Sequence, residues 1–440
     1  MKLFPEVGLA VPEVFIPVNT RELEKWAVVA CDQFTSQPGY WQKVEEFIGN
    51  APSTYKLILP EAFLGTDKEV SHKNAIPILM REYLEKGVLK KNEGFIFIER
   101  EIGGKSRKGL LAALDLERYD FKPDSESLIR ATEGTIIDRL PPRIEIRKHA
   151  LLEIPHILVL IDDPEGEVIT QIASYQSELT KLYDFELMMD GGHISGYLVD
   201  KPDVEQKIIN SLKRLLFPEI QKIKYSLSEQ KHPLLYAVGD GNHSLATAKS
   251  IWDQIEDKSN STHPARFAMV EIVNIHDPAI QFGPIHRIIK NVNSAKAQSI
   301  FENLRGYCRI KENLSINAMQ DQVNKQKTDQ QTFGFIHEDQ VCLAEIIEPS
   351  HTLTVGSLQN LLDELISNNN SLEIDYIHGE ETLKELSTSP GIIGFYLPTM
   401  GKNQLFESVI KDGPLPRKTY SMGEANEKRY YLESRRIKLE

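Results

Sequence analysis

The chain has 440 residues, of which 41% are hydrophobic and 26% are charged, and these values exclude a disordered or fibrous protein. The formal net charge of −13 disfavours nucleic acid as the main partner, because backbone neutralisation needs clustered lysine and arginine. The three cysteines, Cys31, Cys308 and Cys342, are few and widely spaced. A reducing cytoplasm therefore fits better than a disulfide framework or a cysteine zinc site.

The sequence also indicates no membrane segment. No stretch reaches the roughly 20 apolar residues that a membrane helix needs. The first twenty residues contain glutamates and prolines and lack the basic start and apolar run of a signal peptide. We therefore expect a cytoplasmic protein without a membrane partner.

Short apolar, β-branched runs alternate with stretches whose apolar residues recur at three- and four-residue spacing. This alternation predicts a mixed α/β protein of the α+β class. The predicted strands are 26–30, 94–98, 156–161, 233–238, 332–337, 340–347 and 391–397, and the predicted helices are 71–86, 203–216, 244–255, 294–303 and 358–367.

A polar segment over 313–331, rich in Asn, Gln, Lys and Asp, indicates a solvated helix or a linker. The predicted strands 332–337 and 340–347 follow this segment. We place a domain boundary near residue 300, which gives a main α+β domain over 1–299 and a C-terminal α+β subdomain over 300–440 that completes the site.

The most informative motif is a strand that turns into a helix. The strand 233–238 is followed by turn residues in Gly239-Asp240-Gly241-Asn242, and Ser244 can cap the next helix. The first turn of a helix offers unpaired N–H groups and a partial positive charge, which favour phosphate or another anion. The glycines allow the backbone to approach a ligand closely.

Two side chains at this turn carry reactive groups. His243 can donate to phosphate or act as a general acid or base, and Asp240 can hold Mg²⁺ or accept a proton. The alternative is a plain tight turn in which Ser244 caps the helix and His243 satisfies a backbone group.

A second cluster lies upstream, in 130–139. Glu133 is a candidate base, and Arg139 is a candidate bidentate clamp for phosphate or carboxylate. Taken alone, the two residues favour an exposed ion pair over a functional pair.

Two further clusters lie downstream. His286 and Arg287 adjoin a strand-like run, so their side chains would point to opposite faces of a sheet, and the alternative is a partly exposed pair at a strand edge. Arg417, Lys418 and Thr419 lie in a proline-stiffened loop whose composition suits phosphate binding, although a solvated basic loop is an alternative.

These motifs, taken in order, resemble the domain of unknown function 1015 family. A family motif close to Asp-Gly-His-His-Arg-Tyr stands where this chain has 240–248. A family His-Arg pair matches His286-Arg287, an acid followed by Asp-Arg matches Glu133 with Asp138-Arg139, and a Pro-x-Lys-Ser/Thr segment matches 416–419.

The Asp-Gly-x-His turn is also similar to the phosphate-binding turn of the ParB and sulfiredoxin superfamily, which includes an ADP-dependent free-serine kinase. This resemblance implies a ParB/sulfiredoxin-like strand-turn-helix core. It also implies that His243 contacts a nucleotide phosphate, that Asp240 positions metal or substrate, and that Glu133 serves as the base. The usual Arg after the His is Ser244 here, so Arg139, Arg287 or Lys418 would have to replace it.

The leading hypothesis is a cytosolic enzyme that binds a nucleotide such as ATP, ADP or CTP, or another phosphorylated small molecule, and performs Mg²⁺-dependent phosphoryl transfer or hydrolysis. The sequence has no Gly-x-x-x-x-Gly-Lys-Ser/Thr loop, which excludes a P-loop enzyme. The alternatives are metal-assisted hydrolysis with Asp240, His243 and His286, and a non-catalytic nucleotide-sensing module. The oligomeric state is not predicted.

Overall fold

The computed structural model describes residues 1–327, 330–369 and 371–439. The chain divides into two compact units, unit 1 with Met1–Ile280 and Gly423–Glu440, and unit 2 with Gln281–Met422. Each unit contains both helices and strands, which confirms the predicted α+β class.

The strands are β1 Leu3–Phe4, β2 Leu9–Ala10, β3 Glu13–Pro17, β4 Val28–Val29, β5 Leu89–Glu93, β6 Phe95–Ile102, β7 Lys105–Asp115, β8 Tyr119–Asp120, β9 Ile129–Ala131, β10 Leu152–Glu153, β11 Leu158–Ile161, β12 Thr180–Glu186, β13 His193–Val199, β14 Tyr236–Asp240, β15 Phe267–Asn274, β16 Phe282–Lys290, β17 Cys308–Lys311, β18 Thr332–His337, β19 Gln340–Ile346, β20 Glu373–His378, β21 Ile393–Tyr396, β22 Tyr420–Met422, β23 Tyr430–Tyr431 and β24 Arg435–Arg436.

The α-helices are α1 Leu23–Trp26, α2 Pro38–Ile48, α3 Asp67–Glu85, α4 Leu140–His149, α5 Pro202–Leu215, α6 Pro218–Lys224, α7 Asn242–Asp253, α8 Ser294–Tyr307, α9 Ile316–Asn324, α10 Thr354–Ser367, α11 Glu380–Ser387 and α12 Lys402–Asp412. Each of the five predicted helices coincides with one of these. In the described residues, no helix is both long enough and apolar enough to span a membrane.

The predicted strand at 26–30 is mostly wrong. Trp26 ends the short helix α1, and only Val28–Val29 forms a strand, which pairs with Tyr430–Tyr431. Trp26 is fully buried, and its indole Nε1 donates a hydrogen bond to the Leu432 carbonyl at 2.7 Å. A short apolar run shows that a segment is buried but does not distinguish strand from helix.

The large sheet of unit 1 has the strand order β12-β13-β6-β7-β15-β11-β14-β9-β8, and β2 with β1 adds beside β7. Its side chains alternate between two apolar cores. Phe95 and Phe97 of β6 lie in one core with residues of α5 and α7, whereas Ile96 and Ile98 lie in the other core with residues of α2 and α3. Both faces of the sheet are therefore buried, which explains its nearly continuous apolar strands.

The C-terminal segment returns to unit 1 after unit 2 is complete. β23 pairs with β4, and β24 pairs with β10, both antiparallel. The chain thus passes from unit 1 to unit 2 after Ile280 and returns to unit 1 at Gly423. The single boundary proposed from the sequence, near residue 300, lies within α8. Pairing between distant segments leaves no local pattern in the sequence, and this is why the return was not predicted.

Unit 2 contains a sheet with the order β17-β19-β18-β21-β16-β20, and β22 also pairs with β16. His286 and Arg287 lie on β16, which has neighbours on both sides, and both residues are 0% exposed. The alternative of a partly exposed pair at a strand edge is therefore wrong. The polar segment 313–331 contains α9, whose Met319 and Val323 face the core of unit 2.

Candidate functional site

The candidate site lies in unit 1, where two neighbouring parallel strands end. β9 and β14 pair in parallel, with Ala131 opposite Val238, so the residues that follow them emerge at the same edge of the sheet. The Thr132 hydroxyl donates a hydrogen bond of 2.6 Å to the Val238 carbonyl and joins the two strand ends. Glu133 and Asp240 therefore follow adjacent strands at one edge of the sheet.

Gly241 makes the turn from β14 into α7. Its φ of +83° lies in the left-handed region, which favours glycine. A β-carbon at this position would lie 2.9 Å from Cγ1 and 3.1 Å from Cα of Ile157. The turn thus needs a glycine for both its backbone conformation and its close approach to the neighbouring chain.

Helix α7 begins directly after this glycine, which is its N-cap, so the predicted capping of the helix by Ser244 is wrong. The first intrahelical hydrogen bond joins the Leu245 N–H to the Gly241 carbonyl at 3.0 Å. The N–H groups of Asn242, His243 and Ser244 precede that bond and have no helical acceptor, which is the general property of a helix start. Three donors and the positive end of the helix dipole thus meet at the sheet edge. We call residues 239–244 the α7 turn.

His243 lies between the α7 turn and the loop that leads into α4. Its Nε2 accepts a hydrogen bond of 3.3 Å from the Ile136 N–H, which assigns the ring proton to Nδ1. Burial and the positive charges of Arg143 and Arg139 lower the pKa of His243 below its ordinary value. His243 is therefore neutral at pH 7 and can donate from Nδ1.

Asp240 ends β14 and carries a cationic partner. Its Oδ1 accepts a hydrogen bond of 2.9 Å from the Gly241 N–H, and its Oδ2 lies 3.4 Å from Nζ of Lys428. Both side chains of this ion pair are about one-fifth exposed, so the pair remains accessible to a small ligand.

The C-terminal segment that supplies Lys428 is held by buried arginines. The Arg100 guanidinium donates to the Lys428 carbonyl at 2.6 Å. Arg429 lies 2.8 Å from Glu271 and 2.7 Å from Glu433, and all three side chains are at most 4% exposed. Buried charges need such partners, so this network fixes the course of the segment past the site.

The same segment delivers Tyr431 to a chain of hydrogen bonds. Ser244 Oγ lies 3.1 Å from His156 Nε2, and His156 Nδ1 lies 3.1 Å from the Tyr431 hydroxyl. That hydroxyl donates to Cys31 Sγ at 3.1 Å. Burial and the negative charge of Asp32 raise the pKa of the Cys31 thiol to about 12, so the sulfur is protonated and is not a nucleophile.

The loop between β9 and α4 carries the other two predicted residues of unit 1. Glu133 is partly buried directly after β9, and Arg139 is exposed at the start of α4. Arg143 follows one helical turn later, donates from Nη1 to the Arg139 carbonyl at 3.0 Å and pairs with Glu61. Arg143 was not predicted from the sequence, although its four-residue spacing from Arg139 places both on one helix face.

The remaining predicted residues belong to unit 2. His286 Nδ1 accepts from the Leu397 N–H at 3.1 Å, and burial and the nearby Arg287 lower the pKa of His286 to about 4. The Arg287 guanidinium donates to the Ile285 carbonyl and to Gln359 Oε1.

The loop residues of unit 2 differ in exposure. Arg417 and Lys418 are exposed, and the Arg417 Nε donates to the Tyr376 hydroxyl at 3.2 Å. Thr419 is buried, and its hydroxyl donates to the Pro416 carbonyl at 2.6 Å. A role for these residues in ligand binding stays a prediction.

The structure limits the choice of metal ligands. Within 1–327, 330–369 and 371–439, no group of three His, Cys, Asp or Glu side chains is arranged to hold a metal ion. Asp240 fits a metal only as a single carboxylate ligand, together with oxygens of the substrate.

Sequence reasoning also missed Lys428, Tyr431 and His156. The first two are brought to the site by the C-terminal return, for which the sequence carries no local signal. His156 opens the predicted strand 156–161, and a polar residue at the start of an apolar run was the available signal.

The family description "Protein of unknown function (DUF1015)" matches residues 15–365. The chain belongs to this family, as the ordered motifs predicted. The match includes the α7 turn and ends before Lys428 and Tyr431. No curated protein matches the sequence.

Several solved structures are similar in fold. A conserved hypothetical protein from Pyrococcus furiosus is 12% identical with a TM-score of 0.37, and the match covers 75% of this chain and 95% of that one. A free serine kinase in complex with ADP is 11% identical with a TM-score of 0.40, covering 76% and 93%. Truncated SbnI from Staphylococcus aureus is 10% identical with a TM-score of 0.35, covering 71% and 82%. Likeness at this level assigns neither a ligand nor an activity to this chain.

Proposed function

We propose that unit 1 binds the phosphate groups of a nucleotide or another phosphorylated small molecule at the α7 turn and transfers or hydrolyses a phosphoryl group. The observation that carries this proposal is the start of α7 at the shared edge of β9 and β14. Three N–H donors and a glycine in the left-handed conformation lie there beside two candidate acid-base groups, Asp240 and Glu133.

The charges around the turn suit an anion. Arg139 and Arg143 act electrostatically on His243, and Lys428 compensates the carboxylate of Asp240. Neutral His243 adds a hydrogen-bond donor without a further charge. Phosphoryl transfer is catalysed mainly by positioning and by charge stabilisation, and this arrangement supplies both.

Each predicted residue then has a role that can be tested. The N–H groups of Asn242 to Ser244 bind the phosphate, His243 donates from Nδ1, and Arg139 contacts a phosphate oxygen. Glu133 is the proposed base, because it follows β9 beside Asp240 at the same sheet edge. Asp240 is the proposed ligand of Mg²⁺. This ion neutralises phosphate charge when bound, and it is usually held by one or two carboxylates together with phosphate oxygens of the substrate.

ATP, ADP and CTP are the first nucleotides to test. A binding module without catalysis would use the same turn, so binding alone does not separate it from an enzyme. Release of phosphate or labelling of an acceptor by the bound nucleotide separates them.

The test is thermal unfolding of the wild type and of His243→Ala with ATP, ADP, CTP, GTP and inorganic pyrophosphate, with and without Mg²⁺. A ligand at 100 times its Kd stabilises the native state by about 2.7 kcal/mol. The matched control is His149→Ala, since His149 lies on α4 of the same unit and its side chain is 61% exposed.

A stabilisation by at least one phosphorylated ligand that His243→Ala reduces and His149→Ala retains supports the proposal. If none of these ligands stabilises the wild type, or if both variants respond alike, the phosphate site is not at the α7 turn.

A further inference from the structure

A cavity of about 200 Å³ lies in unit 1 beside α7. Its walls are mainly aliphatic side chains from the segments 57–64 and 142–157, with Met80 and Met269. Ser244, His156, Tyr431 and Cys31 also line it. We propose that this cavity binds a neutral, mostly apolar molecule that carries a hydroxyl group, and that the Ser244–His156 pair recognises that hydroxyl.

The hydrogen-bond chain assigns the tautomer of His156. The Tyr431 hydroxyl accepts from the Cys31 N–H at 3.4 Å, and with its one hydrogen donated to Cys31 Sγ it also accepts from His156 Nδ1, which is the tautomer that the proposal uses. The lone pair of Nε2 then faces Ser244, which donates its own hydrogen to it at 3.1 Å. The Ser244 oxygen therefore offers its lone pairs to a donor in the cavity.

The charges of the cavity wall balance one another. Arg143 pairs with Glu61, and Arg147 pairs with Glu153 at 2.5 Å. A charged ligand would have to compete with these pairs and lose its own hydration. A neutral ligand with one hydroxyl meets neither cost, because its apolar body contacts the aliphatic walls and its O–H meets Ser244.

The volume limits the size of the ligand. An apolar protein cavity of about 150 Å³ can hold benzene. The cavity beside α7 is somewhat larger, so it suits a single aromatic ring or a chain of about six carbons with a hydroxyl group.

Ser244 belongs both to the cavity wall and to the α7 turn, so a ligand in the cavity lies next to the proposed phosphate site. If the proposed function holds, on which this step rests, the alcohol is the phosphoryl acceptor and a nucleoside polyphosphate is the donor. The alcohol oxygen forms the new bond to phosphorus, and the bond from phosphorus to the bridging oxygen of the donor breaks. In transfer to this alcohol the Ser244–His156 pair is the base: the alcohol proton goes to Ser244 Oγ as the hydrogen of Ser244 goes to His156 Nε2. Glu133 is then the base only for hydrolysis, in which water is the acceptor.

The binding test uses isothermal titration of benzyl alcohol and toluene without nucleotide. We expect the wild type to bind both and to prefer benzyl alcohol about fivefold, the effect of one net hydrogen bond. Ser244→Ala should lose that preference and still bind toluene. Two tryptophan substitutions should each lower the affinity for both ligands at least tenfold. They are Ile154→Trp, which fills the cavity, and Leu64→Trp, at the partly exposed wall.

The matched control is Ile78→Trp, because Ile78 is 65% exposed on α3 and does not line the cavity. Ile78→Trp should bind benzyl alcohol and toluene with the affinities of the wild type. The proposal is overturned if neither probe binds the wild type, if both cavity variants bind normally, or if Ser244→Ala retains the preference. These titrations contain no phosphate, so a negative result would not contradict the proposed phosphate site. Conversely, an absence of nucleotide binding would not contradict ligand binding in the cavity.

Discussion

The ammonium of Lys428 lies 3.4 Å from the carboxylate of Asp240, although the two residues are separated in sequence by the whole of unit 2. This pair joins the C-terminal segment to the α7 turn. Without Lys428, the negative charge of Asp240 would face a bound phosphate uncompensated.

Lys428→Gln should therefore weaken the binding of a phosphorylated ligand about tenfold, or about 1.4 kcal/mol, whereas Lys428→Arg should retain most of the affinity. The measurement is calorimetric titration at low and high salt, because a partly exposed charge is screened by salt. Lys438→Gln, an exposed charge change in the same segment, is the control. Equal effects of Lys428→Gln and Lys438→Gln would contradict a specific role for Lys428.

Gly241→Ala should destabilise unit 1 by about 1–3 kcal/mol, because alanine is strained at a φ of +83° and its β-carbon would meet Ile157. Gly39→Ala is the matched control, since a β-carbon there has no atom within 4 Å and the residue lies in helix α2. Denaturant unfolding of both variants checks this. A Gly241→Ala protein as stable as the wild type would show that the turn tolerates a side chain.

Arg429→Met should destabilise the protein by about 3–5 kcal/mol, because it leaves Glu433 buried without a cation and leaves Glu271 with Arg107, 3.4 Å away, as its remaining cation. Arg309→Met removes a charge whose side chain is 73% exposed and should change the stability by less than about 0.5 kcal/mol. The measurement is the free energy of unfolding at pH 7. Similar values for the two variants would mean that the buried network does not hold the C-terminal segment.

The lowered pKa of His286 predicts a pH dependence of stability. The folded state keeps this imidazole neutral down to about pH 4, whereas the unfolded chain binds a proton near pH 6.5. Stability contributed by neutral His286 is therefore complete above pH 6.5 and falls as the pH drops towards 4, by about 3 kcal/mol in total.

His286→Gln keeps an acceptor for the Leu397 N–H and removes the titrating group. The difference in unfolding free energy between pH 7 and pH 5 should then be smaller in the variant than in the wild type. The same pH dependence in both proteins would assign the acid sensitivity to other groups.

The α7 turn could be predicted from sequence because each of its determinants is local. An apolar strand, a glycine turn and a helix start lie within about twenty residues, and the ordered motifs also identified the family. The apolar runs likewise predicted the central strands and the major helices, since a buried strand or helix face repeats over a few residues.

The rest of the site depends on contacts between distant segments. Lys428 and Tyr431 reach the site only because β23 pairs with β4 and Arg429 pairs with Glu271. The burial of His286 and Arg287 likewise follows from strands on both sides of β16. The partners of these residues could not be predicted from the residue types or from their spacing in the sequence.

The most direct test of the proposed phosphate site is hydrogen–deuterium exchange measured by mass spectrometry, with and without a saturating phosphorylated ligand chosen from the unfolding experiment. A phosphate site at the α7 turn predicts slower exchange in peptides that contain the N–H groups of Asn242, His243 and Ser244, and less protection of these peptides in His243→Ala at the same ligand concentration. Protection confined to other peptides while the ligand is bound would place the phosphate site elsewhere and contradict phosphate binding at the α7 turn.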